Sequence, residues 1–93
     1  MSKSTGENEN MQLLQKGVNA FMHFEFDQAF QILLPLAEQG VLEAQQKVAR
    51  MYFAGNGVEK SHDQYLYWLQ QAADQGDKYA KAKLKRMAKK KLP

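Results

Sequence analysis

Hydrophobic positions recur along this chain at the three- and four-residue spacing of amphipathic helices, and strand-like alternation is sustained nowhere. The pattern predicts five helices. The first begins at Met11 and fades near MHFEF, the second runs from about Asp27 to Gly40, and the third covers 42–54. The fourth begins near Ser61 and ends at Gly76, and the last extends from Asp77 to about Lys90. The predicted fold class is therefore all-α.

The ten residues before the first helical stripe differ from the rest. MSKSTGENEN, 1–10, is polar and contains no aromatic residue, so we predict a disordered lead-in. The remainder, 11–93, has the length of one small domain.

The second half of the chain repeats the first. With a displacement of 36 positions, FEFDQAFQILLPLAEQG (24–40) aligns with KSHDQYLYWLQQAADQG (60–76). The identical pairs are Asp27/Asp63, Gln28/Gln64, Leu33/Leu69, Ala37/Ala73, Gln39/Gln75 and Gly40/Gly76. The preceding helices align only with a displacement of 32, so the second unit has four extra residues between its helices. Because one such helix pair cannot bury its own apolar face, the repeat predicts stacking.

The four extra residues belong to a glycine-rich connection, AGNGVEKSHDQ (54–64). A longer loop must remain ordered if its helices are to stay paired. We expect Gly55 and Gly57 to allow a tight backbone turn, and Val58 to anchor the loop on the hydrophobic layer between the helices.

The segment 43–76 resembles a Sel-one-like repeat, a relative of the tetratricopeptide repeat with a lengthened loop between its helices. It departs from the pattern at Val48-Ala49, where leucine-glycine is usual, and at Tyr65, where alanine is usual. The resemblance implies a short right-handed α-α solenoid with repeat one at 11–40, repeat two at 43–76 and a closing helix at 77–91. It also implies a non-catalytic scaffold that binds other proteins. The matching residues are Ala44, Tyr52, Gly55, Gly57, Val58, Asp63, Ala72, Ala73 and Gly76.

Composition narrows the class of protein further. The chain has no cysteine, which excludes disulfides and thiolate metal sites. No apolar run approaches the roughly 20 residues of a membrane-spanning helix, and the first residues lack the apolar core of a signal peptide. A cytoplasmic location is therefore expected. The net charge of +3 is uneven, since residues 1–60 carry −2 and residues 61–93 carry +5.

No arrangement of residues predicts catalysis. His23 and His62 are a whole repeat apart, and neither has a neighbour at metal-ligand spacing. The serines have no evident base partner, and Gly55-Asn56-Gly57 lacks the lysine-threonine or lysine-serine pair of a Walker loop. We expect no enzyme activity, no metal and no cofactor.

The concave face is the predicted binding surface, because the resemblance implies that the first helix of each pair lines it. The face is apolar and methionine-rich at one end and basic at the other. Three interpretations of the apolar stripe stay open, namely core covered by the N-terminal tail, a partner groove, and a homodimer seam. The candidate contact residues are Met11, Leu14, Val18, Phe21, Met22, Gln46, Arg50, Phe53 and Arg86.

The last helix and the aromatic residues of the fourth helix complete the candidates. Tyr65, Tyr67 and Trp68 are expected to pack between repeats.

The lysines of the last helix suit a solvated face, an acidic protein partner, or nucleic acid or an anionic membrane. The predicted function is an adaptor that binds a protein or peptide in its concave groove, and the alternative is a nucleic-acid or anionic-surface accessory protein using this helix. The basic patch comprises Lys78, Lys81, Lys85, Lys89 and Lys90.

Overall fold

Five helices make up almost all of the backbone in the computed structural model, which describes residues 2–91 and the side chains of residues 8–89. No strand occurs in that part of the chain, and the all-α prediction is confirmed. The helices are α1 (Ser2–Met22), α2 (Phe26–Glu38), α3 (Leu42–Ala54), α4 (His62–Asp74) and α5 (Lys78–Lys91).

The first helix begins earlier than the sequence predicted. The stretch 1–10 was expected to be disordered, whereas α1 begins at Ser2. Once a helix is nucleated, each added residue gains a backbone hydrogen bond at little cost, and no proline interrupts this stretch. The side-chain amide of Asn10 also donates to Gln39 Oε1 (3.0 Å), which ties α1 to the end of α2.

The extensive helix contacts join neighbours in the sequence: α1 with α2, α2 with α3, α3 with α4, and α4 with α5. One continuous core runs through these interfaces, and many of its members are alanines, which let helices approach closely. Gly17 has the same role between α1 and α2, because a Cβ at this position would lie 2.7 Å from Leu33 Cδ2. The largest fully buried side chains are Leu33, Leu36, Val48 and Met51.

The turns after α2 and after α4 have the same backbone hydrogen bonds. Gly40 donates its N–H to the carbonyl of Ala37 (3.0 Å), and Gly76 donates to Ala73 (2.9 Å). Val41 donates to Leu36 (3.0 Å), just as Asp77 donates to Ala72 (3.1 Å). The two glycines have φ values of 95° and 98°, in the left-handed region that only glycine adopts readily. The helix that follows each turn therefore begins with the same local backbone geometry.

The connections within the two helix pairs also correspond. Glu25, which precedes α2, donates its N–H to the carbonyl of Ala20 (2.8 Å), and Ser61, which precedes α4, donates to Tyr52 (3.1 Å). The donors are separated by 36 positions and the acceptors by 32, as in the sequence alignment. The four extra residues of the second connection are thus accommodated between equivalent anchor points.

The longer loop lies against the start of α2. Gly57 has φ 72°, and a Cβ built on it would lie 2.3 Å from the carbonyl oxygen of Phe26. Gly55 ends α3 in the left-handed conformation, and its N–H donates to the carbonyl of Met51 (2.7 Å). Val58 is half-buried and packs against the core. The extra residues therefore join the second helix pair to the first.

Glutamine side chains provide a second connection between the two turns. Gln75 Nε2 donates to the carbonyl of Gly40 (2.8 Å) and to Gln45 Oε1 (2.9 Å). Gln45 is itself buried and donates to the carbonyl of Ala37 (3.1 Å). Since buried amides are costly to leave unpaired, this network helps to fix the position of α4 on α2 and α3.

The contact of Gly57 with Phe26 gives a stability prediction. Gly57→Ala adds both a strained φ and a clash with the backbone, so we expect it to lower the free energy of unfolding by about 3 kcal/mol. Gly76→Ala is the matched control, because its φ is also positive but nothing lies within 4 Å of its Cβ. It should cost about 1 kcal/mol. Urea unfolding followed by circular dichroism measures both values, and equal losses would contradict a packed loop.

Candidate binding groove

A groove of about 630 Å³ opens between α1, α3 and α5, with α4 forming part of its floor. We call it the central groove. One residue of α1 reaches it, whereas α3 contributes a continuous stripe and α5 contributes its first turns. The residues used below are Phe21 of α1, Gln46, Lys47, Arg50 and Phe53 of α3, Tyr65 of α4, and Asp77, Tyr79 and Lys83 at the start of α5.

Aromatic rings supply much of the apolar surface of the groove. Phe53 is 55% exposed although its ring centroid lies only 4.9 Å from that of Tyr65. Phe21 is half-buried and meets Phe26 edge to face at 5.5 Å. Phe21 is therefore both part of the packing and part of the groove wall, while Phe53 presents a face to solvent. Exposed aromatic faces inside a concavity are typical of binding sites.

The charges around the groove are mostly positive. Lys47, Arg50 and Lys83 line it, and Asp77 is the single carboxylate among its described lining residues. Both oxygens of Asp77 are engaged, since Oδ1 accepts from Gln46 Nε2 (3.0 Å) and Oδ2 accepts from the N–H of Ala80 (3.1 Å). Asp77 thus caps α5 and ties it to α3, and its single negative charge offsets only part of the positive charge of Lys47, Arg50 and Lys83.

The predicted contact residues divide into two groups. Phe21, Gln46, Arg50 and Phe53 come together in the central groove. The other five do not line it. Met11 and Met22 are largely exposed on α1, Leu14 and Val18 are partly buried, and Arg86 is exposed on α5. The central groove therefore includes only part of the concave face that the sequence predicted.

Several groove residues were absent from the predicted set, notably Lys47, Tyr65 and Lys83. Lys83 lies one turn after Tyr79, at the i, i+4 spacing that places two side chains on one helical face. The sequence projection instead followed Arg86, three positions farther along. Tyr65 was assigned to packing between repeats, and it is indeed buried, but its ring also borders the groove.

The residues of the repeat motif serve packing and turns. Trp68 is buried, and its Nε1–H has no acceptor in the part of the chain that the structure describes. Asp63 is exposed in the first turn of α4, where a negative charge suits the helix dipole. Tyr52 is partly buried and meets Phe30 edge to face at 5.6 Å. The remaining buried members are Ala44, Ala72 and Ala73.

The basic patch lies on the exposed face of α5. Lys78, Lys81, Lys85 and Lys89 are all exposed, and the side chain of Lys90 lies outside the described residues. None of the four lines the central groove. The chain therefore has two separate positive surfaces, one in the groove and one on α5.

Neither a metal-binding cluster nor a membrane-spanning helix is found in the described residues. No group of three or more His, Asp or Glu side chains is placed to hold a metal ion there. No helix within 2–91 is both long enough and apolar enough to cross a membrane.

Comparison with protein-family models, with curated proteins and with solved structures gave no match for this chain.

Burial also changes the chemistry of one groove residue. The pKa of Tyr65 is raised above its ordinary value, chiefly because burial disfavours the phenolate and secondly because Tyr79 lies nearby. A raised pKa in the folded state means that the neutral hydroxyl contributes stability below the unfolded pKa of about 10. That stability is lost as the pH rises through the folded value.

Alkaline unfolding should therefore depend on Tyr65. We expect the thermal midpoint of the wild type to fall above about pH 10, and Tyr65→Phe to reduce that fall because the ionisable hydroxyl is gone. Tyr67→Phe, at an exposed tyrosine of the same helix, should leave it unchanged. Thermal scans by circular dichroism across this range provide the measurement. An identical alkaline loss in the wild type and in Tyr65→Phe would contradict the prediction.

Proposed function

We propose that this chain is a non-catalytic adaptor that binds a peptide segment of another protein in its central groove. In this proposal it is a short right-handed α-α solenoid of two helix pairs and a closing helix, similar to Sel-one-like repeats. The observation that carries the proposal is the exposed ring of Phe53 in a concavity that Arg50 and Tyr79 also line.

Three features support the solenoid arrangement. The turns at Gly40 and Gly76 share their hydrogen bonds, and the anchors at Glu25 and Ser61 correspond in the register of the sequence repeat. Among the described residues, the extensive helix contacts join successive helices, as in a repeat array where each unit contacts its neighbours. The overall dimensions of 55 × 28 × 17 Å fit a thin layer about two helices deep.

The form of the groove favours a peptide over a small metabolite. It is partly open to solvent, and its lining combines aromatic and charged side chains. A peptide in such a groove gains affinity from one or two apolar anchors and orientation from polar groups around them. Phe53, which is 55% exposed, is the aromatic residue proposed to hold the anchor, because the ring of Tyr79 already has the ammonium of Lys83 at 6.0 Å from its centroid.

Selection of peptides from a random library on the immobilised full chain tests this function. Peptides selected on the wild type should bind Phe53→Asp at least about tenfold more weakly, because the variant removes the exposed ring of an anchor site. Fluorescence anisotropy of labelled peptides gives the affinities.

Tyr67→Asp is the matched control. Tyr67 is 52% exposed and, like Phe53, has an aromatic neighbour at 4.9 Å, but it lies on α4 outside the groove. The Tyr67→Asp variant should bind the selected peptides with the same affinity as the wild type. If the library yields no binder, or if both variants lose binding equally while circular dichroism reports intact helices, the proposed function is wrong.

A further inference from the structure

We infer that the central groove selects acidic peptide segments, with an aromatic or large aliphatic side chain placed among carboxylates. This inference rests on the proposed function and specifies its ligand class. It follows from Arg50 and Lys83, two lining cations that have no ion pair among the described residues, beside the apolar floor of the groove.

Two of the three cations that line the groove have no ion pair among the described residues. In the part of the chain that the structure describes, one ion pair is found, between Lys47 Nζ and Glu43 at 3.6 Å. It links residues one turn apart and engages Lys47, whose side chain is 16% exposed, with Glu43, whose side chain is 49% exposed. Arg50 and Lys83 have no carboxylate within ion-pairing distance among the described residues. These two cations are thus available for carboxylates of a ligand, and Lys47 adds a positive charge that Glu43 already pairs with.

Asp77 is the lining carboxylate that could have formed an ion pair with these cations. Asp77 accepts hydrogen bonds on both oxygens, from Gln46 and from the backbone of Ala80. Turning it toward Arg50 or Lys83 would uncap α5 and leave the amide of Gln46 without its partner. The contacts that hold α5 in place therefore keep Asp77 from pairing with Arg50 or Lys83, and its one negative charge leaves the lining with an excess of positive charge.

A nucleic acid is the other ligand that binds to surfaces made of cations and aromatic rings. Base stacking needs free aromatic faces, but the ammonium of Lys47 lies over the ring of Phe21 at 5.5 Å from its centroid. The ammonium of Lys83 lies 6.0 Å from the centroid of Tyr79. These rings hold the lysines at the rim, and Phe53 remains for a single anchor. One free face with flanking cations suits one apolar side chain among carboxylates.

The test uses the peptides that the full chain selects from the random library. They should be enriched in Asp and Glu around an aromatic or aliphatic residue. Replacing their Asp and Glu by Asn and Gln should weaken binding at least about tenfold at low salt, and binding of the acidic forms should weaken as salt screens the charges. Arg50→Glu combined with Lys83→Glu should instead select basic peptides.

A matched double variant, Lys81→Glu with Lys85→Glu, changes the net charge equally on the exposed face of α5. This variant should still select acidic peptides.

Phe53-dependent peptides that are neutral or basic would overturn this inference and leave the proposed function standing. Absence of any Phe53-dependent peptide would overturn both. Tighter, Phe53-dependent binding of a single-stranded oligonucleotide of mixed sequence would replace the peptide by nucleic acid.

Discussion

The two glycine-closed turns set the geometry on which the rest of this structure depends. Gly40 and Gly76 adopt a left-handed conformation, and each turn ends its helix with the same pair of backbone hydrogen bonds. The local geometry with which α3 follows α2 is therefore the same as that with which α5 follows α4. The central groove lies beside both of these helices, since residues of α3 and of the start of α5 line it.

Polar side chains then convert this local geometry into one connected molecule. Gln45 and Gln75 join the two turns, and Gln46 joins α3 to the capping residue Asp77 of α5. Hydrophobic burial supplies the driving force, and the directional hydrogen bonds help to fix the register of the helices. The same bonds occupy the carboxylate of Asp77, so the fold that positions the groove also leaves it positively charged.

The sequence predicted most of the fold because helix periodicity and glycine stops are local signals. Helix α3 was placed at its observed bounds, and Val58 and Gly57 pack as expected for an ordered loop. The start of α1 was missed, because the polar composition of 1–10 carries no sign that Asn10 would contact α2. The groove was predicted only in part. Its residues depend on helix rotation about the axis, and a shift from Arg86 to Lys83 lies within the uncertainty of a helical projection.

The assembly of α1, α3 and α5 around one groove is tested most directly by nuclear Overhauser contacts in the full chain. Cross-peaks are predicted between the ring of Phe21 and the side chain of Lys47, whose ammonium lies 5.5 Å from the ring centroid. They are also predicted from the side-chain amide of Gln46 to the β-protons of Asp77, whose Oδ1 it contacts at 3.0 Å. Absence of both sets in a well-dispersed spectrum, or contacts from Phe21 to the exposed face of α5, would contradict this arrangement.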